Sequence, residues 1–184
     1  MMNNLNKPIY WTELLHRDWC IHLAATSKGL VYVGSNHFPI EELRSWVTHR
    51  FPAAPFLRDD EKLKPYAAEI VEYLEGRRHQ FNLPVDLQGT AFQQEVWQAL
   101  CEIPYGRTCS YSDIAERIGR PSSARAVGTA IGANPALICI PCHRVVGKHG
   151  ALTGYRGGID MKASLLKLEQ EGPEQEGFIV DHVG

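Results

Sequence analysis

The sequence predicts two units of different construction: an α/β section over residues 1–85, a mostly α section over 86–172 and a short tail at 173–184. Three observations carry this division. Strand-like stretches crowd the first section, at residues 9–14, 19–26 and 30–33. A composition break follows at residues 77–89, with Arg77, Arg78, Pro84 and Gly89. Beyond it, apolar residues recur at helical rather than strand spacing, beginning with Phe92, Val96 and Leu100.

In the first section, the Ser27, Lys28, Gly29 break between two strand-like runs indicates a hairpin. Pro39 opens a helix to about His49 with Ile40, Leu43 and Val47 at helical spacing, as proline in a first turn does. A second helix spans about 65–75, buries Ile70, Val71 and Leu74, and stops at Gly76. His16, His22, His37, His49 and His79 are scattered without ligand spacing and read as structural residues.

In the second section, Thr90 and Gln93 form a capping box for a helix that runs toward Pro104. A turn at Tyr105, Gly106 and Arg107 leads to a helix over 111–118, stopped by Gly119, Arg120 and Pro121. Ser122 or Ser123 caps a third helix, ARAVGTAIGAN. Asp160 caps a last one, on which Met161, Leu165 and Leu168 face inward before Glu169. The pair of helices over 111–134 resembles a helix-turn-helix. Its second helix shows only small residues, Ala124, Ala126, Gly128, Thr129 and Ala130, around one large charge, Arg125. Such a surface cannot read major-groove base edges with long polar side chains. It suits a narrow minor groove, or close packing against another helix.

Bulk properties narrow the function classes. A net charge of −2, with Lys and Arg against Asp and Glu at 10 to 10, 9 to 8 and 0 to 3 in the two sections and the tail, excludes a protein that coats nucleic acid by bulk charge. The N-terminal residues show no signal-peptide pattern and no apolar run is long enough to span a bilayer, so a cytoplasmic protein with no membrane partner is expected. Five cysteines, Cys20, Cys101, Cys109, Cys139 and Cys142, are then free thiols rather than a disulfide framework.

The run ICIPCHRVV at 138–146 carries the chemistry. Cys139, Cys142 and His143 together allow a haem-attachment, a redox-pair or a partial zinc reading, besides that of a buried cysteine beside a core histidine. Haem attachment needs export and a second axial ligand, and a zinc site needs a second ligand pair that the chain does not offer. A redox dithiol sits where a strand enters a helix, whereas RVVGKHG reads as strand and turn. A further reading makes Cys142 a nucleophile. Asn134 lies eight residues before it and Glu169 follows on a helix, so a Cys-His-Glu relay with an amide to orient the loop is available.

Asn134 and Pro135 followed by IPCHRV, GYRGG and LLKLE, with FQQEVWQAL, IPYG, SYSDIA and ARAVG before them in order, resemble the O6-alkylguanine-DNA alkyltransferases, or methylated-DNA–protein-cysteine methyltransferases, over most of residues 90–170. The resemblance implies a ribonuclease-H-like N-terminal domain and a winged-helix-like C-terminal domain with a helix-turn-helix. It implies double-stranded DNA containing O6-alkylguanine as partner, no cofactor or metal, and no obligate protein partner. Cys142 would take the alkyl group from guanine O6 or thymine O4, once per molecule, with His143 and Glu169 activating it and Asn134 supporting the loop. Tyr111 would help rotate the target phosphate and protonate the departing guanine. Arg125 would fill the gap left by the flipped base, with Ala124, Ala126 and Gly128 in the minor groove and Lys148 on the DNA-facing turn. Val145, Val146, Tyr155, Arg156 and Gly157 would line the base pocket. Leu137 and Arg156 depart from some relatives at positions that bear on the size of the alkyl group. The contrasting expectation is a lesion-binding module that leaves the alkyl group in place.

Overall fold

The computed structural model describes residues 7–172, so the expected tail at 173–184 lies outside the described residues. β1 (Ile9–His16) and β2 (Trp19–Ala25) form an antiparallel hairpin, tightened at Arg17, whose φ of 51° lies in the left-handed region. β3 (Leu30–Val33) joins β2 antiparallel, and β4 (Phe56–Arg58) runs parallel to β1, giving the order β3-β2-β1-β4. α1 (Ile40–Arg50) closes one face over Ile9, Ala24, Val31, Tyr32, Leu43 and Val47. α2 (Asp60–Leu74) packs on the other face, where Leu63, Ile70 and Tyr73 enter a core that continues into the C-terminal section.

That section holds α3 (Ala91–Cys101), α4 (Tyr111–Arg117), α5 (Ala124–Gly132) and α6 (Ile159–Glu171), with a two-stranded parallel pairing of β5 (Cys109–Ser110) and β6 (Val145–Val146). α3 and α5 are tied by the Trp97 indole, which donates to the Ala130 carbonyl at 2.8 Å. The two sections share one core, in which Leu23, Val33 and Tyr73 cluster with Val96, Leu137 and Leu165. The loop after α5 also extends the N-terminal sheet. Ala136 pairs parallel to Val33, with Val33 N–H donating to the Pro135 carbonyl and Leu137 N–H to the Val33 carbonyl.

Several local expectations change. β4 is three residues long, too short to leave a period in the sequence. α2 begins five residues before Pro65, because Asp59 caps it by accepting from Lys62 N–H at 2.9 Å. Pro65 sits on the exposed side of the helix, as does Glu61, whose carbonyl it cannot serve as a donor. Ser123 stands at the N-cap position of α5 but its side chain makes no capping hydrogen bond; a 3-10 turn, Pro121–Ser123, feeds the helix directly. Gly158, with φ 89°, is the N-cap of α6, and Asp160 lies within the first turn, where its charge still complements the helix dipole. Ser110 and Asp113 form a capping box on α4.

The capping box at α3 stands as expected, with Thr90 Oγ1 accepting from Gln93 N–H at 3.2 Å and Gln93 Oε1 accepting from Thr90 N–H at 2.9 Å. Thr90→Ala should lower stability by about 1 kcal/mol in thermal or denaturant unfolding. The reactivity of Cys142 should not change with it.

Candidate active site

Cys142 opens a 3-10 turn, Cys142–Arg144, held between Pro141 and β6. Its thiol is buried, and the Asn134 side-chain amide donates to Sγ at 3.1 Å. The same amide donates to the Ile140 carbonyl at 3.0 Å, while Asn134 Oδ1 accepts from Ala136 N–H at 2.9 Å. Asn134, itself fully buried, thus staples the loop after α5 to the turn that carries the thiol. Burial pushes the Cys142 thiol up, opposed by the Asn134 hydrogen bond and by the positive charges of Arg156 and Lys162.

His143 is fully buried, and its Nε2 lies 2.8 Å from Glu169 Oε1. With a carboxylate at Nε2 that nitrogen carries the proton, so Nδ1 is the acceptor; Nδ1 is buried without a partner. Burial pushes the imidazole down against the pull of Glu169, which favours the neutral base. Glu169 accepts from Tyr73 Oη at 2.6 Å, from Arg144 Nε and Nη2 at 2.9–3.1 Å, and from Gly106 N–H at 3.1 Å. Burial alone would raise this carboxyl, but the bonds from His143, Arg144 and Tyr73 outweigh it and hold the group down at about 2. Lys162, buried on α6, donates to the carbonyls of Val145 and Thr153 at 2.5 and 2.9 Å.

The remaining residues named from the sequence gather less tightly. Tyr155 Oη is buried without a partner; burial pushes its phenol up, and the nearby Cys142 sulfur adds to this while the Arg156 charge opposes it. Tyr111, at the start of α4, places its hydroxyl 3.3 Å from Thr153 Oγ1, and its ring packs against Gly128 of α5. Arg125 and Ala126 are exposed, Ala124 and Gly128 half-buried, and Lys148 exposed on the turn after β6. Val145 and Val146 are buried, and the Val145 carbonyl is already engaged by Lys162. Gly157 is buried where a Cβ would lie 2.5 Å from Met161 Sδ and 2.7 Å from the Tyr155 ring, so a side chain there would displace the pocket wall. The Arg156 guanidinium is taken up by oxygens of Asn134, Pro135, Val33 and Tyr32. Cys139 is half-buried behind the turn, beside Cys101, in a cleft of about 830 Å³ that Cys142 does not border.

With this geometry, comparison with known proteins is decisive. Residues 91–171 match the family model "6-O-methylguanine DNA methyltransferase, DNA binding domain", and residues 9–87 match its "ribonuclease-like domain". The chain belongs to the 6-O-methylguanine DNA methyltransferase family. It is 58% identical over 171 residues to the inducible methylated-DNA–protein-cysteine methyltransferase of Bacillus subtilis (strain 168), covering 92% of this chain and 96% of that one. It is 47% identical over 152 residues to the methylated-DNA–protein-cysteine methyltransferase of Methanosarcina barkeri, covering 82% and 90%. The crystal structure of Mycobacterium tuberculosis OGT in complex with DNA superposes with a TM-score of 0.77 at 38% identity, covering 88% of this chain and 93% of that one. This two-part architecture, a mixed sheet-and-helix unit followed by a helical DNA-binding unit, is that of the methyltransferase family.

Four groups at the site escaped sequence reasoning: Tyr73, Arg144, Lys162 and the Gly106 amide. Arg144 left one signal, a second charged residue inside an apolar run that includes its neighbours Val145 and Val146. Tyr73 lies on the buried stripe of α2 with Ile70 and Leu74, which signals burial but not its partner on a helix 96 residues away. Among the described residues, no three His, Cys, Asp or Glu side chains gather to hold a metal ion.

Glu169 contributes stability that is fully present above the ordinary carboxyl value of about 4.3. That contribution is lost as pH falls through about 2. Glu169→Gln, which leaves Arg144 buried without its counter-charge, should destabilise by about 3–5 kcal/mol at neutral pH. The gap to the parent should narrow below pH ~4 in acid unfolding followed by near-ultraviolet circular dichroism.

Proposed function

We propose that this protein repairs alkylated DNA by one irreversible transfer of an alkyl group, methyl foremost, from O6 of guanine or O4 of thymine to Sγ of Cys142. The observation that carries the reading is a buried thiol, held by the Asn134 amide, beside a neutral His143 whose free Nδ1 is set by Glu169 at Nε2. No hydrogen bond joins Cys142 to His143 directly, so the thiol proton passes to Nδ1 through a bridging water. The thiolate then attacks the alkyl carbon. An S–C bond forms, the C–O bond breaks, and the electron pair leaves with the base, which Tyr111 protonates. The reaction balances without a cofactor.

Burial keeps Cys142 protonated and quiet until the base is in place, which protects a thiol that can be used only once. The product is a thioether, and neighbouring Cys139 cannot remove it by thiol exchange. Access to O6 requires the nucleotide to leave the stack. α4 and α5 supply the helix-turn-helix, with Arg125 entering the vacated space, Ala124, Ala126 and Gly128 against the minor groove and Lys148 on phosphate. Val145, Val146, Tyr155, Gly157 and the Arg156 backbone form the base pocket, where the unpartnered Tyr155 hydroxyl is a ready contact. The same reading makes residues 1–85 a ribonuclease-H-like domain and 86–172 a winged-helix-like one, working on double-stranded DNA in the cytoplasm without an obligate protein partner. The five cysteines, all free thiols, fit a reducing compartment.

Incubation with a duplex carrying O6-methylguanine should add one methyl mass to Cys142, resolved from Cys139 by peptide fragmentation, at no more than one equivalent per chain. An unmodified Cys142 with intact lesion binding would make the protein a lesion-binding module instead, and multiple turnovers would exclude the thioether mechanism. Arg125→Ala should slow repair of the duplex by about tenfold or more, because the flipped state loses its wedge. Reaction with free O6-benzylguanine, which needs no flipping, should keep the parent rate.

A further inference from the structure

The Arg156 side chain sits in the segment assigned above to the base pocket, yet its polar contacts belong to a different task. Its Nε donates to the Asn134 carbonyl at 3.1 Å, and Nη2 donates to the carbonyls of Pro135 at 3.0 Å and Val33 at 2.8 Å. Nη1 donates to Tyr32 Oη at 3.2 Å and approaches Glu42 Oε1 at 3.5 Å, while the guanidinium carbon lies 5.0 Å from the Tyr32 ring centroid. Ser35 Oγ completes the cluster, donating to Glu42 Oε1 at 3.0 Å. Tyr32, Val33 and Glu42 belong to β3 and α1 of the N-terminal unit; Asn134 and Pro135 belong to the loop that follows α5.

We propose that Arg156 is a positioning residue for Cys142: its planar fork clamps residues 134–135 to the edge of β3 and so fixes the Asn134 amide that donates to the thiol. Three geometric facts support the clamp. The backbone bonds that pair Val33 with residues 135–137 use the same carbonyls, so the guanidinium bridges two strands already in register. The Asn134 side chain follows its own loop, since its oxygen is tied to the Ala136 N–H two residues on, so the position of residues 134–136 sets how its amide meets Ile140 and Cys142. Five donors in a rigid plane can satisfy this set of oxygens together, and a lysine ammonium cannot span it. Loosening the clamp lets the Asn134 amide drift from Sγ, which leaves the thiolate less stabilised. The positive charge of Arg156 acts on Cys142 in the same direction.

This inference rests on Cys142 being the reactive thiol, but its test needs no DNA. The pH midpoint of iodoacetamide labelling at Cys142 would be measured in the parent, Arg156→Met and Arg156→Lys, with circular dichroism and thermal unfolding to verify the fold. Arg156→Met should move the midpoint up by about one pH unit. Arg156→Lys keeps the charge and loses the fork, and should recover less than half of that shift. Amide exchange at Ala136 and Leu137 should speed up in both variants. An unmoved midpoint in folded Arg156→Met, or a full return to the parent value in Arg156→Lys, would overturn the clamp in favour of a pocket-lining or purely electrostatic residue. If Arg156→Met does not fold, the lysine variant alone decides, since only the clamp requires its midpoint to rise. A shifted midpoint together with absent methyl transfer would leave the clamp standing and remove the repair reading instead.

Discussion

The site is organised around one buried negative charge. Glu169 lies almost wholly out of water, and a lone carboxylate there would either protonate or pull the structure apart. It remains ionised because donors from four directions converge on it: Tyr73 from α2, His143 and Arg144 from the thiol turn, and the Gly106 amide from the turn after α3. Arg144 balances the charge through two nitrogens and anchors its third to the Ile103 carbonyl at 2.7 Å. The four donors come from three segments, so satisfying the carboxylate fixes where α2, α6 and both turns meet. Such an arrangement is costly to break from one side, which makes it a better register device than a source of net stability.

The same charge determines what the thiol turn can do. Burial pushes Cys142 up and His143 down, so both are neutral at physiological pH and no standing ion pair wastes the nucleophile. Glu169 limits how far His143 falls and fixes which nitrogen is free. The outcome is a base of the right tautomer facing an unpartnered position, next to a thiol that already accepts one hydrogen bond in its anionic direction. In the proposed reaction these two groups, pressed to neutrality by their environment, exchange one proton, which is a usual way for a protein to keep acid–base chemistry in reserve.

What could be read from the sequence follows the range of the interaction. The capping box of α3, the strand hairpin of β2 and β3 and the helix pair are local, and the sequence spells them. Cys142, His143, Asn134 and Glu169 stood out in the sequence because the PCHRV run and its company resemble a known family, and the structure gives two hydrogen-bonded pairs, Asn134 with Cys142 and His143 with Glu169, that adjoin at the thiol turn. Tyr73 was silent because its partners lie 70 and 96 residues away and nothing about a tyrosine on an apolar stripe names them. Lys162 was silent for the opposite reason. It occupies a buried position on α6 between Met161 and Leu165, where periodicity alone would place an apolar residue, and only the carbonyls of Val145 and Thr153 explain it. Arg156 was visible but assigned by its neighbours in the chain rather than by its own reach.

Two of these contacts reach the thiol turn from the N-terminal unit. Tyr73 comes from α2, and the oxygens that hold Arg156 on its far side come from β3 and α1, all in the N-terminal unit. The first steadies the base side of the thiol through Glu169, the second its amide side through Asn134. A sheet unit with no reacting group of its own therefore controls the thiol from two directions, and the parallel pairing of Val33 with Ala136 welds the two units between those points. Coupling of this kind passes through short polar contacts in a shared core, where displacement of one partner leaves a buried group unsatisfied. The apolar core common to both units supplies the rigidity that makes such contacts positional rather than merely adhesive. The N-terminal unit, which displays no chemistry in its sequence, thus holds both neighbours of the Cys142 thiol proposed as the nucleophile: the Glu169 and His143 pair through Tyr73, and Asn134 through Arg156.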